Sequence, residues 1–197
     1  MLGALSLLTT TLAILMAGSA FAQEARPAGN EFAIWFGGQF GDGHAFSETV
    51  NARLYELESR YSRLIIARGE IAVSYVAQVV PFTTVGDPHA QNGLRVYAHG
   101  IGGSPIGAQV NFVHYRRVEP FVTSGGGFLY FDRPMFGTAQ QFNFTAQLGG
   151  GFQFFSSSHR AALDVGYKYH HISNANMDRR NPGLDSHMLF LGVSFFR

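Results

Sequence analysis

The chain has 197 residues, enough for one domain, and a formal net charge of +1, which excludes the strongly basic class of nucleic-acid-binding proteins. It contains no cysteine, which excludes a disulfide framework and a thiolate metal site. Only 14% of the residues are charged, whereas 14% are aromatic and 24 are glycine. This composition is typical of a β-barrel that faces lipid.

The first 22 residues have the pattern of a secretory signal peptide. An apolar run over residues 2–16 precedes the small-x-small sequence Ala20-Phe21-Ala22, after which we expect cleavage. The usual basic residues are missing before this run, so either the terminal amine suffices or translation starts further upstream. The run is shorter than the ~20 residues of a membrane-spanning helix, which disfavours a retained anchor. The predicted mature domain is 23–197.

Eight segments of the chain alternate between apolar and polar side chains, the period-two pattern of β-strands. In chain order, they are residues 31–41, 46–59, 69–80, 106–115, 118–131, 141–155, 161–175 and 185–196. The stretch 53–58 also fits a helix, but its neighbours favour a strand. Pro81 is expected to end the third strand, and residues 82–103 are expected to form a long connection.

Eight long, two-faced strands predict an all-β fold, an eight-stranded antiparallel up-and-down transmembrane β-barrel of the bacterial outer membrane. A soluble periplasmic β-sandwich is the alternative, but its strands are usually shorter and its surface carries more charge. The predicted connections after strands three, five and seven are long, as external loops are in bacterial barrels. We expect Trp35, Tyr167 and Tyr169 to face lipid or the membrane interfaces.

The candidate chemistry lies at the end of the seventh strand. His171 and Ser173 share the parity of the apolar side chains, so an imidazole and a hydroxyl lie on one face, close enough for proton transfer. After a turn at Asn181-Pro182-Gly183, Asp185 has the same parity on the eighth strand. A nucleophile, a base and an acid that orients the base form a serine hydrolase site. On the lipid face of a barrel, such a site predicts a lipid substrate.

These residues also resemble the outer-membrane lipid A 3-O-deacylase (PagL) family. The resemblance lies in 171–175 and 181–185, and upstream in 120–134 and 142–145. It implies hydrolysis, in the outer leaflet, of the 3-O-linked acyl ester of lipid A, the lipid part of lipopolysaccharide. It also implies Ser173 as nucleophile, His171 as base and Asp185 as acid, without a cofactor or a metal.

One residue departs from the best-known pattern of that family, which has Glu where this chain has Asp185. Aspartate is one methylene shorter, so either the strand ends approach more closely or a water bridges the contact. Asp178 is the alternative acid. Asn174 is a candidate oxyanion donor through its side-chain amide or its backbone, and Ala175 and Asn176 are candidates through their backbone.

Further assignments concern the loop arginines, the neighbouring histidines, the expected partners and an alternative function. Arg179 and Arg180 either bind lipid phosphates or are solvated loop charges. His170 and His171 point to opposite faces, so a shared metal ion is not expected. The expected partners are lipopolysaccharide, outer-membrane lipids and, in a homodimer, a second copy of the chain. A non-catalytic small barrel, serving as adhesin or structural protein, is the alternative function.

Overall fold

The computed structural model of the chain describes residues 29–87, 95–112, 117–135 and 140–197. Its strands are β1 (Asn30–Asp42), β2 (Arg53–Arg68), β3 (Ile71–Asp87), β4 (Val96–Phe112), β5 (Val118–Phe131), β6 (Phe142–Phe155), β7 (Ala161–Ser173) and β8 (Leu184–Phe196). Each strand pairs antiparallel with its neighbours in sequence, and β1 pairs with β8 to close a barrel. The predicted fold is therefore confirmed.

Two further points concern the predicted signal peptide and membrane-spanning helices. The predicted signal peptide, 1–22, lies outside the described residues. Within the described ranges there is no helix with the length and hydropathy that a membrane-spanning helix needs.

Apolar side chains cover the outer surface of the barrel because alternate residues of each strand point outward. In three adjacent strands they are Phe32, Ile34 and Phe36 of β1, Leu163 and Val165 of β7, and Leu189, Leu191, Val193 and Phe195 of β8. Tyr167 and Tyr169 lie on the same outer face, as predicted. In water, so much exposed apolar surface would cause aggregation, whereas a lipid bilayer requires it.

The structure corrects the predicted bounds of three strands. Strand β2 begins at Arg53 rather than at residue 46, because residues 43–52 leave the sheet and form a loop. Within this loop Asn51 has a left-handed φ of 58°, and its N–H donates to Asp42 Oδ2 over 2.6 Å. The loop is longer than the connection of residues 42–45 that the predicted strands 31–41 and 46–59 left between them.

Strands β3 and β4 are longer than predicted, and they take up most of the expected connection 82–103. Pro81 does not end β3, because it lies where the pairing of β3 shifts register with both β2 and β4. A proline has no N–H to give to a ladder, and a bulge requires none. Strand β4 accordingly begins at Val96 rather than at residue 106.

Trp35 points into the barrel, which contradicts its predicted lipid-facing position. Its ring stacks on Phe190 with centroids 4.1 Å apart, the guanidinium of Arg60 lies 3.4 Å from the ring centre, and its indole N–H donates to Asp164 over 2.8 Å. Its cross-strand partner is Gly192, where a Cβ would lie 2.1 Å from the indole. Both faces of β1 carry aromatic residues, so alternation alone did not show which face of the strand Trp35 occupies.

A cluster of polar side chains fills the barrel interior at a position closer to the end of β7 than the contacts of Trp35. Lys168 Nζ lies 3.0 Å from Glu56 Oε2 and also contacts the carboxylate of Glu58. His170 points inward, and its Nδ1 lies 3.0 Å from the same oxygen of Glu56. All four side chains are buried. Buried charges are tolerated only when they are paired, so these residues depend on one another.

We predict that Lys168→Met destabilises the barrel by about 3–5 kcal/mol, because it leaves two buried carboxylates without their cation. The free energy of unfolding is measured in detergent micelles by urea titration, followed by tryptophan fluorescence. Glu58→Gln in the same chain removes one of the two charges and should restore part of the loss. An unchanged unfolding midpoint in Lys168→Met would show that the cluster contributes nothing.

Candidate active site

The candidate residues meet at the end of the barrel where β7 and β8 are joined by residues 174–183. His171 pairs across the strands with Asp185, and Ser173 pairs with Phe144 of β6. All of these side chains have the outward parity of their strands, whereas His170 and Ile172, on either side of His171, are buried inside. The expected common face for His171, Ser173 and Asp185 is thus confirmed.

His171 and Asp185 are in direct contact. Nδ1 of His171 lies 2.6 Å from Oδ1 of Asp185, a short, charge-assisted hydrogen bond. The shorter aspartate reaches the ring without a bridging water because the two residues are cross-strand partners, whose Cβ atoms lie ~5 Å apart. The side chain of His171 is 20% exposed and that of Asp185 is fully buried. This geometry directs the other ring nitrogen, Nε2, away from the acid.

Ser173 is the last residue of β7, and its side chain is half-buried. Its hydroxyl makes no hydrogen bond to any residue in the described part of the chain. Bonds between a nucleophile and its base are often long in ligand-free sites and tighten when substrate binds. The structure therefore brings Ser173 to the same face as His171 but without a direct bond.

Asparagine side chains hold the loop that follows Ser173. Asn174 is buried; its Nδ2 donates to the carbonyl of Arg180 over 2.8 Å, and its Oδ1 accepts the N–H of Asn176 over 2.9 Å. Asn181, which the sequence did not single out, accepts the N–H of Asn174 and donates to Asn176 Oδ1 over 3.2 Å. Both ends of the Asn174 amide are thus engaged within the loop.

The loop also contains two non-glycine residues with left-handed backbone. Ala175 has φ 52° and Asn176 has φ 61°. Alanine rarely adopts this conformation, because its Cβ approaches the backbone, so the asparagine bonds must hold it in place. The N–H of Ala175 donates to no residue within the described ranges. This donor lies two positions after Ser173 in the chain.

The charged residues of the loop differ in their surroundings. Arg179 and Arg180 are exposed. The carboxylate of Asp178 accepts the N–H of Arg179 over 2.7 Å, whereas the imidazole of His171 is bonded to Asp185. Asp185 is therefore the acid in contact with the base. Within the described ranges, no three His, Asp or Glu side chains gather as metal ligands would.

A second loop, the β1–β2 loop of residues 43–52, lies against the site and was missed by the sequence analysis. The N–H of Phe46 donates to Asp185 Oδ2 over 2.6 Å, and the N–H of Ala45 donates to Tyr169 Oη over 3.1 Å. The N–H of Glu48 donates to the carbonyl of Pro182 over 2.8 Å. Residues 46–52 of this loop were predicted as the start of the second strand, and no local signal points to the contact of the loop with β8.

Exposed aromatic rings surround the polar residues. The ring of Phe46 is 74% exposed and meets the His171 imidazole edge-on, with centroids 5.6 Å apart. Phe144, the cross-strand neighbour of Ser173, is 43% exposed. Polar side chains within an apolar surface, at the end of a lipid-facing barrel, suit a substrate that has both an acyl chain and a polar head.

Comparisons with known proteins bear on the family and the fold of the chain. The family model described as lipid A 3-O-deacylase (PagL) matches residues 71–194, which include the three candidate catalytic residues. A search of curated protein sequences finds no significant match.

Two solved structures share the fold. The outer-membrane enzyme PagL is 18% identical, with a TM-score of 0.61, over 82% of this chain and 97% of that one. Neisserial surface protein A (NspA) is 14% identical, with a TM-score of 0.54, over 88% of this chain and 100% of that one. Because the family match covers more than half of the chain, this protein belongs to the lipid A 3-O-deacylase (PagL) family.

Proposed function

We propose that His171, Ser173 and Asp185 are the catalytic residues with which this outer-membrane lipid A 3-O-deacylase hydrolyses its ester. The observation that carries the proposal is the 2.6 Å bond between His171 Nδ1 and the buried carboxylate of Asp185, on the outer face of the barrel. A buried acid that orients an imidazole beside a serine is the arrangement of serine hydrolases. A non-catalytic barrel has no use for such a pair on its lipid face.

The reaction follows from the positions of these groups. Ser173 Oγ attacks the ester carbonyl while His171 Nε2 takes the hydroxyl proton, and Asp185 stabilises the imidazolium that forms. The tetrahedral intermediate collapses, the sugar hydroxyl leaves with the proton from His171, and the acyl chain remains on Ser173. Water, activated by His171, then releases the fatty acid and restores the serine.

The negative charge on the attacked carbonyl oxygen requires a donor. The N–H of Ala175 is unengaged by the described residues and lies two positions after the nucleophile, so we assign it this role. Asn174 and Asn176 are bonded to each other, and their proposed contribution is to hold Ala175 in its left-handed conformation. Preorganised donors of this kind are worth on the order of 10²–10³ in rate.

The position of the site supports a substrate held in the outer leaflet. The exposed rings of Phe46 and Phe144 would contact acyl chains, and the exposed side chains of Arg179 and Arg180 would contact lipid phosphates. Association with other outer-membrane lipids and with a second copy of the chain stays a prediction, as does cleavage after Ala22.

We predict that Ser173→Ala and His171→Ala each lower deacylation by roughly 10³-fold or more, because nucleophile and base act as one unit. Lipid A from bacteria that express each variant is analysed by mass spectrometry for loss of one hydroxyacyl chain. The folded barrel is checked by its heat-modifiable gel mobility. A folded Ser173→Ala protein that still releases the chain would refute the proposed nucleophile.

Asp185→Asn should lower kcat by about 10²–10⁴-fold. The carboxylate of Asp185 accepts two N–H groups, from His171 and from Phe46, whereas an amide offers only one acceptor oxygen. Rates are measured on purified lipid A in detergent micelles. Asp178→Asn is the matched control and should leave kcat unchanged; the opposite pattern would make Asp178 the acid.

Arg179→Ala with Arg180→Ala should raise KM by about tenfold and leave kcat unchanged if these side chains bind phosphate, because bonds to charged groups are worth about 1.5–3 kcal/mol. Arg160→Ala is the control, since Arg160 is equally exposed but lies before β7, at the other end of the barrel. Equal KM values for both proteins would show that the two loop arginines are only solvated charges.

A further inference from the structure

Asp185 is buried, although its outward position on β8 would by itself leave the side chain exposed. Its side chain has outward parity, and Leu189 and Leu191 on the same face of β8 are 57% and 55% exposed. Asp185 itself is 0% exposed. The difference arises because the β1–β2 loop lies over this end of β8 and covers the carboxylate.

That loop makes hydrogen bonds to three separate groups of Asp185. The N–H of Phe46 donates to Oδ2 over 2.6 Å, the hydroxyl of Ser47 accepts the backbone N–H over 2.9 Å, and the N–H of Gly43 donates to the carbonyl over 2.9 Å. The remaining oxygen, Oδ1, is the one that meets His171. The loop therefore bonds one carboxylate oxygen, the N–H and the carbonyl of the acid, and it leaves Oδ1 to His171.

Ser47 is the residue of this loop whose side chain reaches Asp185. It also lies against Gly183, where a Cβ would come within 3.2 Å of the Ser47 Cβ, and Gly183 has a left-handed φ of 62°. The N–H of the next residue, Glu48, donates to the carbonyl of Pro182. Ser47 thus sits where the β1–β2 loop meets both the β7–β8 loop and the start of β8.

The register of the barrel explains why a side chain is needed here. Pairing between β1 and β8 ends at Asp42 and Ser186, so it stops one residue short of Asp185. Beyond this point the sheet no longer supplies an acceptor for the N–H of Asp185, and the Ser47 hydroxyl takes its place. A buried N–H without an acceptor is costly, so loss of this hydroxyl would move the backbone of Asp185.

We propose that Ser47 is a positioning residue that acts through Asp185, and that the β1–β2 loop is part of the active site. The inference rests on the proposed role of Asp185 as the acid. An orienting acid is effective only when its carboxylate is held in place, because displacements near 1 Å cost about 10²-fold in rate. Ser47 holds the backbone of the acid, while the N–H of Phe46 holds its second oxygen.

The test is a double-mutant cycle on purified, folded barrels, with kcat and KM measured on lipid A in detergent micelles. Ser47→Ala should lower kcat about 10- to 100-fold and leave KM unchanged, because the hydroxyl orients the acid and does not bind the lipid. In a chain that already carries Asp185→Asn, adding Ser47→Ala should cause no further loss of kcat. Ser157→Ala, which removes an exposed serine hydroxyl between β6 and β7 at the other end of the barrel, is the matched control and should behave as the wild type.

The outcomes separate this inference from the proposed function. If Asp185→Asn alone leaves kcat unchanged, the acid role fails, and the role of Ser47 fails with it. If Asp185→Asn lowers kcat but Ser47→Ala does not, or lowers it equally in both backgrounds, Ser47 does not act through the acid and the inference is overturned. Should Ser47→Ala not yield a folded barrel, Ser47→Gly removes the same hydroxyl, and the same results are expected.

Discussion

Closure of the sheet by pairing β1 with β8 is the constraint on which the rest of the structure depends. A bilayer offers no water to an open strand edge, so the first and last strands must bond to each other along their length. This pairing also brings the loop after β1 beside the loop after β7. The acid of the candidate site, Asp185, lies where these two loops meet, so barrel closure builds the site as well as the fold.

The two faces of the barrel have opposite chemistry, and the site is the place where this separation is broken. The outer face is apolar, while the interior holds paired charges such as Lys168 with Glu56. His171, Ser173 and Asp185 are polar residues on the outer face. They are tolerated there because they lie at the end of the strands, and because the β1–β2 loop covers the one carboxylate among them.

The strands near the site were predictable from sequence because their alternation is clear. In β7, apolar residues alternate with Asp164, Lys168 and His170, which must point inward when the outside is lipid. The alternation of β1 is ambiguous, because Trp35 on the inner face is as apolar as Phe36 on the outer face. Residues 46–52 were taken for the start of a strand, although they belong to a loop in which Phe46 and Ser47 contact the acid.

The sequence by itself determined the fold class, the number of strands and the shared face of His171, Ser173 and Asp185, because period-two alternation and parity are local properties of the chain. Only the tertiary structure decided the direct contact of His171 with Asp185, the inward position of Trp35 and the contact of the β1–β2 loop with Asp185. These depend on strand register and on barrel closure, which join residues such as Ser47 and Asp185 that lie 138 positions apart. No local pattern encodes such a contact, because it exists only once the sheet has closed.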